Sequence, residues 1–334
     1  MSENYLQKHR LALKLKPIFV GQLSVVDALR NSAYSFEEGS FHKVLLPNEG
    51  ITSDFIRSFA RDTSAEIYIH NDDYEEINQS LREKLVKLTR SLSIGDSYKN
   101  GARHAHLLSL QMANLYKDPF NDELLNSQFQ SGQNLSNLLI NNKDIHRALY
   151  QSVTKQGHHY TVSQPLLSSI LLLSFIQSMG LFSEKETQSL FLTSYFKDIG
   201  MSFIPREKFE LAHLTDFDKK NFSEHADNSM KILSGRAPLA NNQLELIKNH
   251  HYLNYKIQAM ASNSKYAPKE DLVTGLESAM LSALDILVAM TNDRPYRKGT
   301  SVFQALELLK KVLSDEHPQE FKSLVVFLRQ FFSK

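Results

Sequence analysis

At 334 residues, with a net charge of +1 and no cysteine, the chain has room for one large domain or two ordinary ones. The near-zero charge gives no global pull toward nucleic acid or a membrane surface. The lack of cysteine excludes disulfides, thiolate catalysis and cysteine-based zinc sites, and suits a reducing compartment.

The opening residues, MSENYLQKHR, are polar and lack the apolar stretch of a secretory signal, so a cytoplasmic protein is expected. Next, "HKVLLP" (His42 to Pro47) and "AEIYIHN" (Ala65 to Asn71) are short runs rich in Val, Leu and Ile between turn formers, and are predicted strands. Between them "SDFIRSFARDT" (Ser53 to Thr63) opens on a Ser-Asp cap and spaces Phe55, Ile56, Phe59 and Ala60 along one helical face. Together these predict a small β-α-β-like unit, and "DDYEEINQSLREKLVKLTRSL" (Asp72 to Leu92) a capped helix leading out of it.

From about Lys99 onward nearly every long segment has helical period. Helices are predicted in "ARHAHLLSLQMANLY", "NDELLNSQFQSGQNLSNLLI" and "KDIHRALYQSV". "PLLSSILLLSFIQSMGLF" (Pro165 to Phe182) is the most apolar run, yet it carries four serines and a glutamine and is short for a membrane span, so it reads as a core helix. Ser183 with Glu186 three residues on forms a capping box for "SEKETQSLFLTSYFKDI". Further helices follow in "DFDKKNFSEHADNSMKIL", "NNQLELIKNHH", "DLVTGLESAMLSALDILVAMTN", "SVFQALELLKKVL" and "PQEFKSLVVFLRQFF". The one long loop expected is Tyr255 to Lys269. The fold class is therefore α+β overall. A small α/β regulatory or sensory domain spans 1–95, a helical linker 96–150, and an all-α domain 151–334.

Asp198, His225, the adjacent pair His250-His251, and Asp285 lie near helix ends or on apolar helices. Imidazole nitrogens and carboxylate oxygens are the usual ligands of zinc, iron and manganese. Taken singly, a helical histidine is more often exposed or a satisfied core group. Asp285, in "ALDILVAM", fits either a ligand or half of a buried salt bridge. Spacing alone leaves a His/Asp metal site and a set of structural polar groups both open.

The order and wording of four segments resemble the HD-GYP family, bacterial cyclic di-GMP phosphodiesterases of the HD hydrolase superfamily. They are "HYTVSQ", "GLFSEKETQSLFLTSYFKDIG", "IPREKFELAHLTDFDKKNFSEHADNSMKIL" and "LDILVAMTNDRPYR", the last being the most specific. The resemblance runs from about Lys117 to the C-terminus, and looks much looser over the N-terminal unit. It implies an HD-type helical domain in which two metals share a bridging aspartate and activate a hydroxide. By that resemblance Asp198 matches the bridging aspartate, Asp285 the first metal's set, and His225, His250 and His251 the second's.

The chain departs from that pattern at informative places. The family's first histidine falls at Gln164, the histidine of its His-Asp pair at Lys197, and its trailing lysine at Met201. The Gly-Tyr-Pro signature is missing, with no glycine between Gly235 and Gly275. A protonated ammonium cannot ligate a cation. The expectation is one divalent metal (Fe, Mn or Zn) at the second site and none at the first, where two carboxylates would be crowded. Lys197 is expected to stand in for that first metal, bridging Asp285 and Asp198, with Gln164 donating a hydrogen bond. Were the protein active, Asp198 and Lys197 would be its catalytic residues. Arg294, Tyr296 and Arg297 are candidates for phosphate contact or for support of the site, with a structural turn as the alternative. His158 and His159 are weaker candidates to replace the lost histidine.

Two readings follow. One is a degenerate signalling protein acting by binding cyclic di-GMP, a related nucleotide or a protein partner. The other is an active phosphodiesterase with a mononuclear site. Homodimerisation through the central helices is compatible with both, and no nucleic-acid polymer or membrane partner is expected.

Overall fold

The structure, a computed structural model, describes residues 13–60, 66–262, 275–294 and 296–333. The N-terminal unit is a four-stranded sheet in the order β1-β4-β2-β3, from β1 (Leu15–Phe19), β2 (Ala33–Glu37), β3 (Ser40–Leu45) and β4 (Glu66–His70). Every described pairing is antiparallel. The two predicted strands, β3 and β4, are therefore not neighbours in a parallel β-α-β unit. β2 lies between them, and α1 (Ser53–Ala60) connects them. β2 and β3 form a hairpin whose two-residue turn, Glu38-Gly39, has φ of 48° and 76°, the primed geometry that matches strand twist. Ile18, Ala33, Ile67 and Ile69 are buried, and Ile77, Leu81 and Leu85 of α2 (Asn71–Arg90) join the same core.

The rest is helical: α3 (Ser97–Lys117), α4 (Asp122–Asn141), α5 (His146–Lys155), α6 (Tyr160–Met179), α7 (Glu184–Phe196), α8 (Asp216–Ser223), α9 (His225–Leu233), α10 (Asn241–Lys248), α11 (Tyr252–Ser262), α12 (Leu276–Thr291), α13 (Val302–Leu313) and α14 (Pro318–Phe332). This is the α+β class expected, a small sheet unit followed by a helical part. α6 is the central rod and packs against α3, α4, α5, α7, α12 and α14. That position explains its composition: a helix with neighbours on all sides has no face to give to water. It is long and apolar enough to cross a membrane, but 78% of its most apolar window is buried inside the protein.

Three local features place the site. Pro165 lies inside α6 and has no N–H for the Thr161 carbonyl four residues earlier. The Tyr116 hydroxyl of α3 lies 3.1 Å from that carbonyl and 3.1 Å from the carbonyl of Asp198, so its single proton ties the start of α6 to the Asp198 turn. The second feature is the predicted capping box, which starts α7: Ser183 Oγ accepts from Glu186 N and Glu186 Oε2 from Ser183 N. The third is the end of α7, where a 3-10 turn (Ile199–Phe203) runs directly under α9. There Gly200 N donates to Ser229 Oγ at 2.8 Å, and Ser229 Oγ donates to the Lys197 carbonyl at 2.7 Å. A Cβ on Gly200 would lie 2.0 Å from the His225 carbonyl, so only glycine fits.

Boundaries differ from expectation in three places; the helix expected through Ile199 stops at Phe196, where the 3-10 turn takes over. "DFDKKNFSEHADNSMKIL" is two helices, α8 and α9, with the break at Glu224. Much of the expected loop Tyr255 to Lys269 is helix: α11 covers Tyr252–Ser262, and the remainder lies outside the described residues. Tyr252 and Leu253 are buried, and α11 packs against α12 and α13, so tertiary burial orders a segment whose polar sequence suggests a loop.

Candidate metal centre

The end of α7 brings Lys197 and Asp198 to the middle of the helical part, facing Asp285 of α12. Lys197 is fully buried. Its Nζ contacts Asp198 Oδ2 and lies 2.8 Å from Asp285 Oδ1. Asp285 Oδ1 also accepts from Gln164 Nε2 at 3.0 Å and from Ser168 Oγ at 3.3 Å. Gln164 and Ser168 are four residues apart on α6 and so share one face. Gln164 Oε1 in turn accepts from Arg294, whose guanidinium lies 3.8 Å from the centre of the Tyr160 ring. Two cations and two carboxylates thus form one hydrogen-bonded chain, half-buried at Arg294 and Gln164 and buried from Asp285 to Asp198. Desolvation opposes the charge on Lys197, but the two carboxylates beside it raise its pKa above the ordinary lysine value.

The other oxygen of Asp198 faces the histidines. Asp198 Oδ1 is 3.3 Å from His225 Nε2 and 3.2 Å from His250 Nε2, and the two nitrogens are 3.1 Å apart. His251 Nε2 lies 3.0 Å from His225 Nε2. His225 is the first residue of α9, while His250 and His251 fill the break between α10 and α11. Each ring is fixed from behind. His225 Nδ1 donates to the Phe222 carbonyl at 2.5 Å and His250 Nδ1 to the Ile247 carbonyl at 2.6 Å. In a neutral ring that leaves Nε2 as a bare lone pair. Burial opposes the charge on Asp198, but the Lys197 ammonium and the two histidine contacts hold its carboxyl well below the usual range. Burial likewise holds the His250 and His251 rings below the ordinary imidazole value.

These donors fit a divalent ion. Three ligand atoms without hydrogens between them repel one another unless a cation sits at their centre. Ligand bonds of about 2.05 Å in a tetrahedron put the ligand atoms about 3.3 Å apart, the spacing found here. His225, His250 and His251 form a cluster able to hold a metal. Nitrogen and oxygen donors with imidazole backed by carbonyls suit zinc, iron or manganese. The Lys197 side does not fit a metal, because an ammonium fills the space between its two carboxylates.

His251 has a condition attached. The Asn254 amide nitrogen lies 2.8 Å from His251 Nδ1, so it donates there, and the ring's own proton then sits on Nε2. Turning that amide by half a rotation presents its oxygen to an Nδ1–H and frees Nε2 as a third ligand.

The remaining candidates divide. Met201 is half-buried, and only its backbone takes part, donating to the Asp198 carbonyl at 2.9 Å. Arg297 closes the C-terminus of α12 on the Ala289 and Met290 carbonyls. Tyr296 is exposed. His158 and His159 do not reach Asp285: His158 pairs with His106, and His159 with Glu210 and Thr161. The sequence reading missed Ser168, Tyr116, Ser229 and Asn254. Of these, only Ser168 was readable, from its spacing to Gln164.

A cavity of about 780 Å³ opens beside Gln164, walled by Tyr160, Arg294, Tyr296, Arg297 and Lys298.

No family model matches the chain, and no curated protein matches it. Among solved structures it is similar to an HDG"Y"P protein from Bdellovibrio bacteriovorus, with a TM-score of 0.66 and 14% sequence identity. The match covers 94% of this chain and 99% of that one, so it takes in the N-terminal unit as well as the helices. The likeness is one of fold, shared with that protein over most of the chain.

Proposed function

We propose that the chain is a degenerate HD-GYP-like signalling protein that acts by binding, with phosphodiester hydrolysis impaired. The observation that carries this reading is the Lys197 ammonium buried between Asp285 and Asp198. In the resemblance a metal belongs there. An ammonium supplies positive charge but cannot coordinate a water as a Lewis acid and turn it into a hydroxide. His225, His250, His251 and Asp198 would hold a single divalent ion, of zinc, iron or manganese. The 1–95 unit is read as its regulatory or sensory part, 96–150 as the linker and 151–334 as the HD-GYP-like part. The cavity beside Gln164 suits cyclic di-GMP or a related nucleotide, since it offers two tyrosine rings and a basic wall.

The converging histidines favour a second reading, a mononuclear phosphodiesterase. A metal bound by those residues would supply an activated water. Lys197 would then hold its charge close to the negative charge that develops on the phosphate.

Metal analysis of protein purified without chelator, together with a cyclic di-GMP hydrolysis assay, separates the two. Under the binding reading the protein carries one equivalent and shows no turnover, and Lys197→His gains a second equivalent. Turnover that His250→Ala abolishes establishes the mononuclear enzyme instead. Two equivalents in the unaltered protein would refute the role given to Lys197.

A further inference from the structure

A second cavity, of about 670 Å³, lies far along the chain from the histidines, in a groove between α2 and α3. Lys84 and Lys87 of α2 stand on one side and Arg103 of α3 on the other, and no Asp or Glu lines it. Its floor is apolar, formed by Val25, Leu88 and Leu107. We propose that this groove binds a small amphipathic anion, a phosphate or carboxylate group carried on an apolar body, at the seam between the N-terminal unit and the helices.

The three cations are exposed to solvent, and what sets them apart is that they converge on one groove that no carboxylate lines. Lys87 lies in the last turn of α2, where a positive charge complements the helix dipole. Lys84 and Arg103 lie outside the terminal turns of their helices, so that explanation does not reach them. Lys84 Nζ spends one hydrogen on the Val25 carbonyl at 2.7 Å and keeps two. Among the described residues Lys87 and Arg103 have no carboxylate partner. Three like charges around one groove repel one another, and an anion in the groove reverses the sign of that interaction. The volume lies within the range of small-molecule sites, and the apolar floor calls for more than a bare ion.

The end of the groove is fixed and neutral. Ser24 Oγ donates to the Gly21 carbonyl at 2.7 Å, so the His106 Nε2 that lies 3.1 Å from it must carry the proton. His106 Nδ1 then accepts from His158 Nε2 at 3.0 Å. This relay pins the 3-10 turn Val20–Val25 of the N-terminal unit to α3 and to the segment just before α6. An anion clasped by Lys84, Lys87 and Arg103 would cross the same seam a second time.

The full chain can be titrated with anilinonaphthalene sulfonate, an anionic group on an aromatic body, and separately with inorganic phosphate. The sulfonate is expected to bind at one saturable site. Arg103→Gln and Lys87→Gln should each weaken it about tenfold. Ala102→Asp, which puts a carboxylate on the groove wall, should abolish it. Metal content should be unchanged in all three, and melting temperature in Arg103→Gln and Lys87→Gln, whose side chains are exposed, which separates this site from the histidine cluster. Unchanged sulfonate affinity in the three variants overturns the proposal. Phosphate binding as tightly as the sulfonate overturns the amphipathic part of it.

Discussion

The two oxygens of Asp198 face two different solutions to the same problem. Oδ2 faces Lys197, a cation the chain supplies itself, and that half is neutralised by the protein's own side chains: Lys197, Asp285 and Ser168 are buried, and Gln164 is half-buried. Oδ1 faces the imidazole lone pairs of His225 and His250, with His251 Nε2 3.0 Å from the first, and a cation from outside would complete that half. A carboxylate in a protein interior must be neutralised. The difference lies in whether the neutralising charge is covalently part of the fold, always present and chemically inert, or exchangeable and able to carry chemistry.

The comparison is broken most directly at Lys197. Replacing it with methionine leaves Asp198 and Asp285 buried without their cation. Removing one partner of such a pair typically destabilises by about 3–5 kcal/mol. Denaturant unfolding should show a loss of that size, and pairing Lys197→Met with Asp285→Asn should recover part of it. A loss below about 1 kcal/mol would mean that solvent or an ion already neutralises this half.

On the other half the large effect requires the metal. A ligand present at a hundred to a thousand times its dissociation constant stabilises the folded state by about 2.7–4.1 kcal/mol. A chelator should therefore lower the melting temperature of the unaltered protein and leave that of His250→Ala where it is. Equal shifts in both proteins would show that His250 does not hold the ion.

How much of this was legible in the sequence depends on what each residue type can do in only one way. The capping box at Ser183 and Glu186 was readable because its pattern has a single geometry. The turn at Asp198 was not read, since the helical run was carried through Ile199, whereas the helix stops at Phe196 and Gly200 passes under the His225 carbonyl. β1 and β2 were not readable. "LKPIF" holds a proline, and in "AYSFE" only Ala33 and Ser35 are buried, so neither shows a run of buried β-branched residues. The lysine was harder still. A lysine can extend to solvent or fold inward, and only the positions of Asp285 and Gln164, more than thirty residues away on either side, decide it. Asn254 was hidden for a related reason, because it sits on a helix that tertiary burial creates.

Asn254 gives the next prediction. Groups that orient a metal-binding imidazole are typically worth 10–100-fold in metal affinity. Asn254→Leu removes the only side chain described at His251 Nδ1 and leaves that ring free to rotate or change tautomer. Zinc titration should show a weakening in that range, with the chelated protein as stable as before. Unchanged affinity would place His251 outside the ligand set.

The smallest effect belongs to Ser168, and it sharpens the contrast between the halves. Its hydroxyl is one of three donors to Asp285 Oδ1, at 3.3 Å the longest of them. Ser168→Ala removes a hydrogen bond to a charged acceptor but leaves Lys197 and Gln164 in place. The loss should be about 1 kcal/mol or slightly more. It should be the same with and without chelator, since Ser168 acts on the half that the chain neutralises itself. If the loss instead appears only when the metal is present, Asp285 communicates with the histidines through Lys197, and the two halves act as one site.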